Sequence, residues 1–330
     1  MAWRRRASVP AGARLTMDRR RTSTELVEQL GDGFIAAGSP PRWPEMPRWA
    51  QVADIPDVPL PPVPVLLCRR AQGPITIDGR LDETDWRDAA WSPAFVELPS
   101  GGAAPMATQV AFLWDDDGLY AGYRVEAHDI RAAATRHHEH VYMRDDDVEL
   151  FVAGPSTYYE LGVNPINTIY EIRWTWLEPL VERRDFAALE ALLKVDDQFY
   201  YAARGGERMG RLADLGFELP GLRHAVRIEG AVNAPQVHDE GWSVELALPW
   251  SGLAAVLPDV TLPPPVGDSL VVQTYRAYHP HDDPEADARM AATWPGASAY
   301  SGSCLSAMGN TNIHNPERWP RLRFVGPEGR

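Results

Sequence analysis

Cysteine and lysine are nearly missing from this 330-residue chain, which holds two cysteines, Cys68 and Cys304, and one lysine, Lys194. Two cysteines exclude a disulfide-built scaffold, although a single bridge between them stays open. No run of about 18 apolar residues occurs, so a membrane-spanning helix is excluded. Positive charge is also scarce. A net charge of −14 opposes nucleic acid and anionic membranes as partners. The sequence has no P-loop, GxGxxG, HExxH or ordered Ser-His-Asp motif, so no nucleotide cofactor is expected.

What is present reads as a soluble, core-forming chain, with 45% hydrophobic and 24% charged residues. Residues 1–24 carry seven arginines (Arg4, Arg5, Arg6, Arg14, Arg19, Arg20 and Arg21) against Asp18, a local net charge of +6. No apolar core of the roughly 7–15 residues a signal peptide needs follows them, and a cytoplasmic protein is expected. Nine prolines fall within residues 40–64, a composition that favours polyproline II and works as a semi-rigid linker. We therefore divide the chain into a basic, Pro-rich extension, residues 1–65, and a folded body, residues 66–330.

The body alternates in the manner of β-strands. Segments 106–114, 118–127, 148–153, 157–163, 166–174, 225–232, 242–248, 270–278 and 322–325 are rich in β-branched and aromatic residues. Turn signals such as Asp115-Asp116-Asp117-Gly118 and Gly154-Pro155-Ser156 separate them. Short strands joined by turns, with few helices, predict an all-β antiparallel sandwich. In that fold Phe112, Trp114, Tyr123, Val125, Leu150 and Val152 would point between the two sheets. Two helical pieces are expected: a turn at 81–86 with Asp82 as its cap and Trp86 packed inward, and a helix over Asp185–Lys194.

The body also carries an ordered series of short motifs. They are Ile77-Asp78-Gly79-Arg80-Leu81-Asp82-Glu83 with Trp86, then Arg144-Asp145-Asp146-Asp147-Val148-Glu149, then Val163-Asn164-Pro165. Gly241-Trp242-Ser243-Val244-Glu245 and His314-Asn315-Pro316-Glu317-Arg318-Trp319 complete it. Taken in order from about Ile75 to Val325, these pieces resemble the family 9 carbohydrate-binding modules, a β-sandwich related to the DOMON group. Residues 175–219 fall outside the resemblance and read as an insertion that carries the second helix. The resemblance implies a sugar held between two tryptophans while polar side chains read its hydroxyls. Glu149 and Asn164 match the polar side. Where the two clamp tryptophans would stand, this chain has Tyr142-Met143 and Ile313.

Ligand-binding candidates are thus Tyr142, Glu149, Asn164, Trp174, Tyr275 and Arg276. Tyr142 and Trp174 would offer rings for stacking, and Arg276 bidentate donors. Metal candidates are His138, His140, His281 and His314, since imidazole suits zinc and its neighbours in the first transition row. Strand-like i, i+2 spacing would place His138 and His140 on one face. Asp145 and Asp147 offer oxygen ligands for calcium. Two functions follow: a carbohydrate-binding protein with a loop-lined pocket for a small sugar, glycan end or similar polar ligand, or an enzyme or metal protein using the histidines in the same pocket. A third, haem ligation by Met143 and a nearby histidine, follows only from the DOMON relationship. Oligomeric state is not legible in the sequence.

Overall fold

A computed structural model describes residues 60–143, 145–176, 179, 198–202, 210–279, 301–309 and 312–327. The predicted helix over 185–194 and the candidate ligand His281 lie outside these residues. Among the described residues fourteen strands form one hydrogen-bonded ribbon. They are β1 Val65–Arg70, β2 Val96–Glu97, β3 Thr108–Trp114, β4 Gly118–Glu126, β5 Asp147–Ala153, β6 Thr157–Val163 and β7 Ile169–Trp176. After these come β8 Gln198–Ala202, β9 Gly210–Asp214, β10 Arg223–Glu229, β11 Gly241–Pro249, β12 Ser269–Tyr278, β13 Ser301–Cys304 and β14 Arg321–Val325.

The spatial order is β10-β11-β4-β3-β1-β14-β12-β5-β6-β7-β9-β8, with β13 beside β12 and β2. Most pairs are antiparallel. The exception is β1, which runs parallel to both β14 and β3 and joins the two halves of the ribbon. One buried cluster holds Phe112, Tyr123 and Val244 from one half together with Leu150, Leu161 and Val272 from the other. The Tyr123 hydroxyl crosses between them to the Glu149 carbonyl at 3.3 Å. The ribbon therefore folds over into two facing layers, the expected sandwich. All six residues assigned inward from alternation alone (Phe112, Trp114, Tyr123, Val125, Leu150 and Val152) belong to this core.

Local chemistry explains several elements. Asp115 Oδ1 accepts the amides of Asp117 at 2.8 Å and Gly118 at 3.0 Å, which closes the hairpin between β3 and β4. The helical turn Thr84–Arg87 buries Trp86 completely, as expected, but Asp82 does not cap it. Its N-cap position is Glu83, without a side-chain cap bond; Glu83 instead accepts the Thr76 amide at 2.9 Å. A second helix, Trp250–Val256, follows β11 directly and had no cap signal in the sequence. Cys68 and Cys304 are both free and buried, in separate core clusters, so the possible bridge is not formed.

The segment before the first helical turn is tied to the sandwich by one carboxylate. Glu245 on β11 is buried and accepts the amides of Asp78 at 2.9 Å and Gly79 at 2.6 Å, and the indole N–H of Trp86 at 2.8 Å. Gly79 has a φ of +84° and lies so close to the β10 backbone that a Cβ would stand 2.8 Å from the Arg227 nitrogen. Only glycine fits there. Within the 175–219 insertion the described strands extend the sheet: β9 pairs with β7, and β8 with β9.

Removing Glu245 leaves three donors without their acceptor. Glu245→Ala is expected to lower unfolding free energy by roughly 2–4 kcal/mol, read from urea denaturation midpoints. A loss under about 0.5 kcal/mol would show that the tie is not structural.

Candidate functional site

Strand alternation places Val148, Leu150 and Val152 of β5 between the layers and turns Asp147, Glu149 and Phe151 onto the outer face. On that face the neighbouring strands β6 and β7 contribute Tyr158, Glu160, Tyr170 and Trp174. Three carboxylates therefore share one buried patch. The Tyr170 hydroxyl stands 2.8 Å from Glu149 Oε1 and 3.1 Å from Glu160 Oε1. One hydroxyl has one proton to donate, so it serves both carboxyl groups only if one of them is protonated and donates back.

Burial raises the pKa of Asp147, Glu149 and Glu160 alike. Glu160 is relieved by the guanidinium of Arg211 and by the Trp174 indole N–H, 2.5 Å from its Oε2. Glu149 is held well above the ordinary carboxylate range by burial first and then by the neighbouring Asp147 and Glu160, without a cation beside it. Of the two carboxyl groups that share Tyr170, Glu149 is therefore the one held further above the ordinary range. Asp147 Oδ1 accepts the Ala277 amide at 3.1 Å, while Oδ2 is buried without a hydrogen-bond partner.

Partly buried groups flank this patch. The Tyr142 ring packs edge-on to Tyr170 at 5.7 Å and to His140 at 5.6 Å. At the other side His314 Nδ1 lies 3.0 Å from the Tyr158 hydroxyl and 3.9 Å from Glu160 Oε2. Burial and Arg211 hold His314 well below the usual imidazole pKa, so it is neutral. Trp174 and Trp176 do share one side of β7, but both are buried. Trp174 stacks on Tyr158 at 5.7 Å and lies 4.0 Å from the Arg211 guanidinium. Tyr275 is buried on the same face.

Other candidates go elsewhere. Arg276 alternates with Tyr275 and points between the layers, where its Nη1 donates to Thr108 Oγ1 at 3.1 Å. Its Nε and Nη2 are buried without hydrogen bonds, and it lies near Asp146, Asp147 and Glu126. It does not meet Tyr142 and His314 on the outer face. Asn164 is fully buried and spent on structure. Its amide donates to the Ala134 carbonyl and to Asp145, and its oxygen accepts the Thr168 amide at 2.8 Å. Asp145 in turn accepts the amides of Ala133 and Ala134, each at 2.9 Å. Asp145 lies outside β5, so it forms no strand-face pair with Asp147.

The shared face expected for His138 and His140 is not formed either. Residues 136–139 form a turn, closed by the Glu139 amide on the Arg136 carbonyl at 3.0 Å, with His138 at a φ of +64°. His138 faces His137 and Glu218, whereas His140 lies against Tyr142 and Tyr170.

Sequence reasoning missed Tyr158, Glu160, Tyr170 and Arg211. The i, i+2 spacing of Tyr158 and Glu160 on a strand beside Glu149 was a usable signal. Arg211 had none, because it arrives with the insertion.

The chain is similar in fold to solved carbohydrate-binding modules. One is a protein from Bacteroides uniformis ATCC 8492 described as a candidate carbohydrate-binding protein, at 14% identity and a TM-score of 0.47, covering 79% of this chain and 99% of that one. Two others are family 9 modules from Caldicellulosiruptor kristjanssonii. The cellotriose complex has 13% identity and a TM-score of 0.42 over 79% of this chain and 93% of that one. The glucose complex has 12% identity and a TM-score of 0.43 over 79% and 96%. No family model and no curated protein matches the chain.

Buried carboxyl groups set a pH dependence. Burial raises Asp146 from 3.8 to about 7, against the opposing pull of Arg276 and the His279 amide. The folded chain then binds more protons than the unfolded chain between these values, so stability falls as pH rises. The melting temperature is expected to drop by roughly 5 °C from pH 5 to pH 8, and Asp146→Asn to flatten part of that slope. A melting temperature that rises over this interval would contradict the assignment.

Proposed function

We propose that this chain is a carbohydrate-binding protein that takes a small sugar or glycan end at the Tyr142 edge of the outer face. The observation that carries the reading is the array of Tyr142, Tyr170, Glu149 and Glu160, in which a partly buried ring borders a hydrogen-bonded hydroxyl and two carboxyl groups. A pyranose offers an apolar C–H face and a rim of hydroxyls. A tyrosine ring suits the first, and carboxyl groups that accept and donate suit the second. Protonation of Glu149 limits the charge beside the ligand, and a neutral polyol suffers no repulsion there.

Within this reading Tyr142 stacks, Glu149 and Glu160 read hydroxyls, and Trp174 with Tyr275 forms the floor. Asn164 acts through Asp145 by fixing the 132–134 loop, and Arg276 supports the layer beneath. The ligand set is thus narrower than the six residues expected from sequence, and Glu160 joins it.

Isothermal titration against a panel that includes glucose and cellotriose tests the proposal. Binding at micromolar to millimolar affinity is expected. Tyr142→Ala should weaken it roughly five- to tenfold, and Tyr142→Phe, which keeps the ring and its packing, should restore most of the affinity. Glu149→Ala should weaken it at least as much. No heat with any sugar, at concentrations that detect millimolar binding, would overturn the reading.

A further inference from the structure

A second cluster lies apart from the outer-face array, in the turn before β5 and the segment after β9. We propose that His137, His138 and Glu218 form a mononuclear site for a divalent transition-metal ion of the zinc class, with Glu171 as the outer support of His137. The donor atoms of the three side chains all lie within 4.8 Å of one another. His138 Nε2 is 3.6 Å from Glu218 Oε1, and His137 Nδ1 is 3.8 Å from the same oxygen. Around zinc, with bonds of about 2.0–2.1 Å to nitrogen and oxygen, neighbouring tetrahedral donors stand about 3.4 Å apart. The two histidine–Glu218 separations are therefore within a few tenths of an ångström of that geometry.

The backbone is arranged for this. Adjacent residues in extended chain send their side chains to opposite sides. At His138 the left-handed φ of +64° folds the chain so that both imidazoles stack face to face, with ring centres 4.0 Å apart. The His138 amide donates to the Ile169 carbonyl at 2.9 Å and fixes the turn on β7.

The surroundings of His137 complete the argument. Its other nitrogen, Nε2, lies 3.4 Å from Glu171 Oε2. Glu171 is 3% exposed, and its Oε1 accepts the Tyr159 hydroxyl and the Leu219 amide, both at 2.7 Å. A buried, anchored carboxylate behind a ligating imidazole sets the tautomer that turns Nδ1 toward the ion and raises its basicity. Two imidazoles and one carboxylate select zinc, nickel, copper or ferrous iron over calcium or magnesium. The three ligands leave a coordination position for water, because His137 and Glu218 are solvent-exposed, with side chains 43% and 67% accessible.

The test uses the untagged full-length chain, freed of metal by chelation and titrated with zinc chloride by calorimetry. One zinc per chain is expected, and cobalt(II) in its place should give the intense visible absorption of a low-coordinate site. His137→Ala and His138→Ala should each weaken zinc binding at least tenfold. Glu171→Gln should weaken it roughly 10- to 100-fold while leaving one site. Sugar affinity of these variants should stay at the wild-type value, which separates this site from the outer-face array. A matching metal-free circular dichroism spectrum and melting temperature exclude misfolding of the exposed-residue variants. Absence of zinc binding at millimolar metal, or undiminished binding by the His137→Ala/His138→Ala double variant, would overturn the proposal.

Discussion

The two-residue period of β5 is the constraint on which the rest depends. Val148, Leu150 and Val152 must point between the layers, since that is where apolar surface leaves water. The same geometry obliges Asp147, Glu149 and Phe151 to face outward together. Their neighbours on β6 and β7 are aromatic, so the carboxyl groups are buried rather than solvated. Charge cannot be left there unpaired. The structure resolves this with protonation at Glu149, the Arg211 guanidinium and Trp174 indole near Glu160, and a backbone amide at Asp147. A polar array on the outer face is a consequence of how the core is packed.

The motifs that carried the family resemblance are mostly structural ties. Glu245 holds the Asp78-Gly79 turn and Trp86, and Asn164 holds Asp145, which holds the loop from Ala132 to Ala134. Such residues are fixed by the fold because each satisfies several backbone donors at once. That explains how the sandwich was legible in sequence while the ligand set was not. Strand spacing identified the inward residues of β3, β4 and β5 correctly, since burial between layers follows directly from alternation. It gave no account of β1, whose Val65–Arg70 segment joins the two halves in parallel and pairs with residues far along the chain.

Function residues were harder to read where they depend on contacts across long separations. His138 and His140 were assigned a common face from spacing, but a left-handed residue between strands breaks that rule. Arg276 was expected beside Tyr142, yet one step of alternation sends it into the interior. The 175–219 region had no counterpart in the resemblance, and it supplies both Arg211 and Glu218. The insertion thus contributes to each of the two candidate sites, by extending the sheet past β7 and bringing a cation and a carboxylate to groups that lack them.

The shared proton at Tyr170 is the most exposed part of this account, and carbon-13 NMR of the side-chain carboxyl groups reads it directly. With Glu149→Gln and Glu160→Gln for assignment, the Glu149 carboxyl should titrate well above the usual glutamate value of 4.5, and Glu160 should be raised less. Two carboxyl groups titrating together near that ordinary value would mean that the outer face is solvated and that the buried array does not exist.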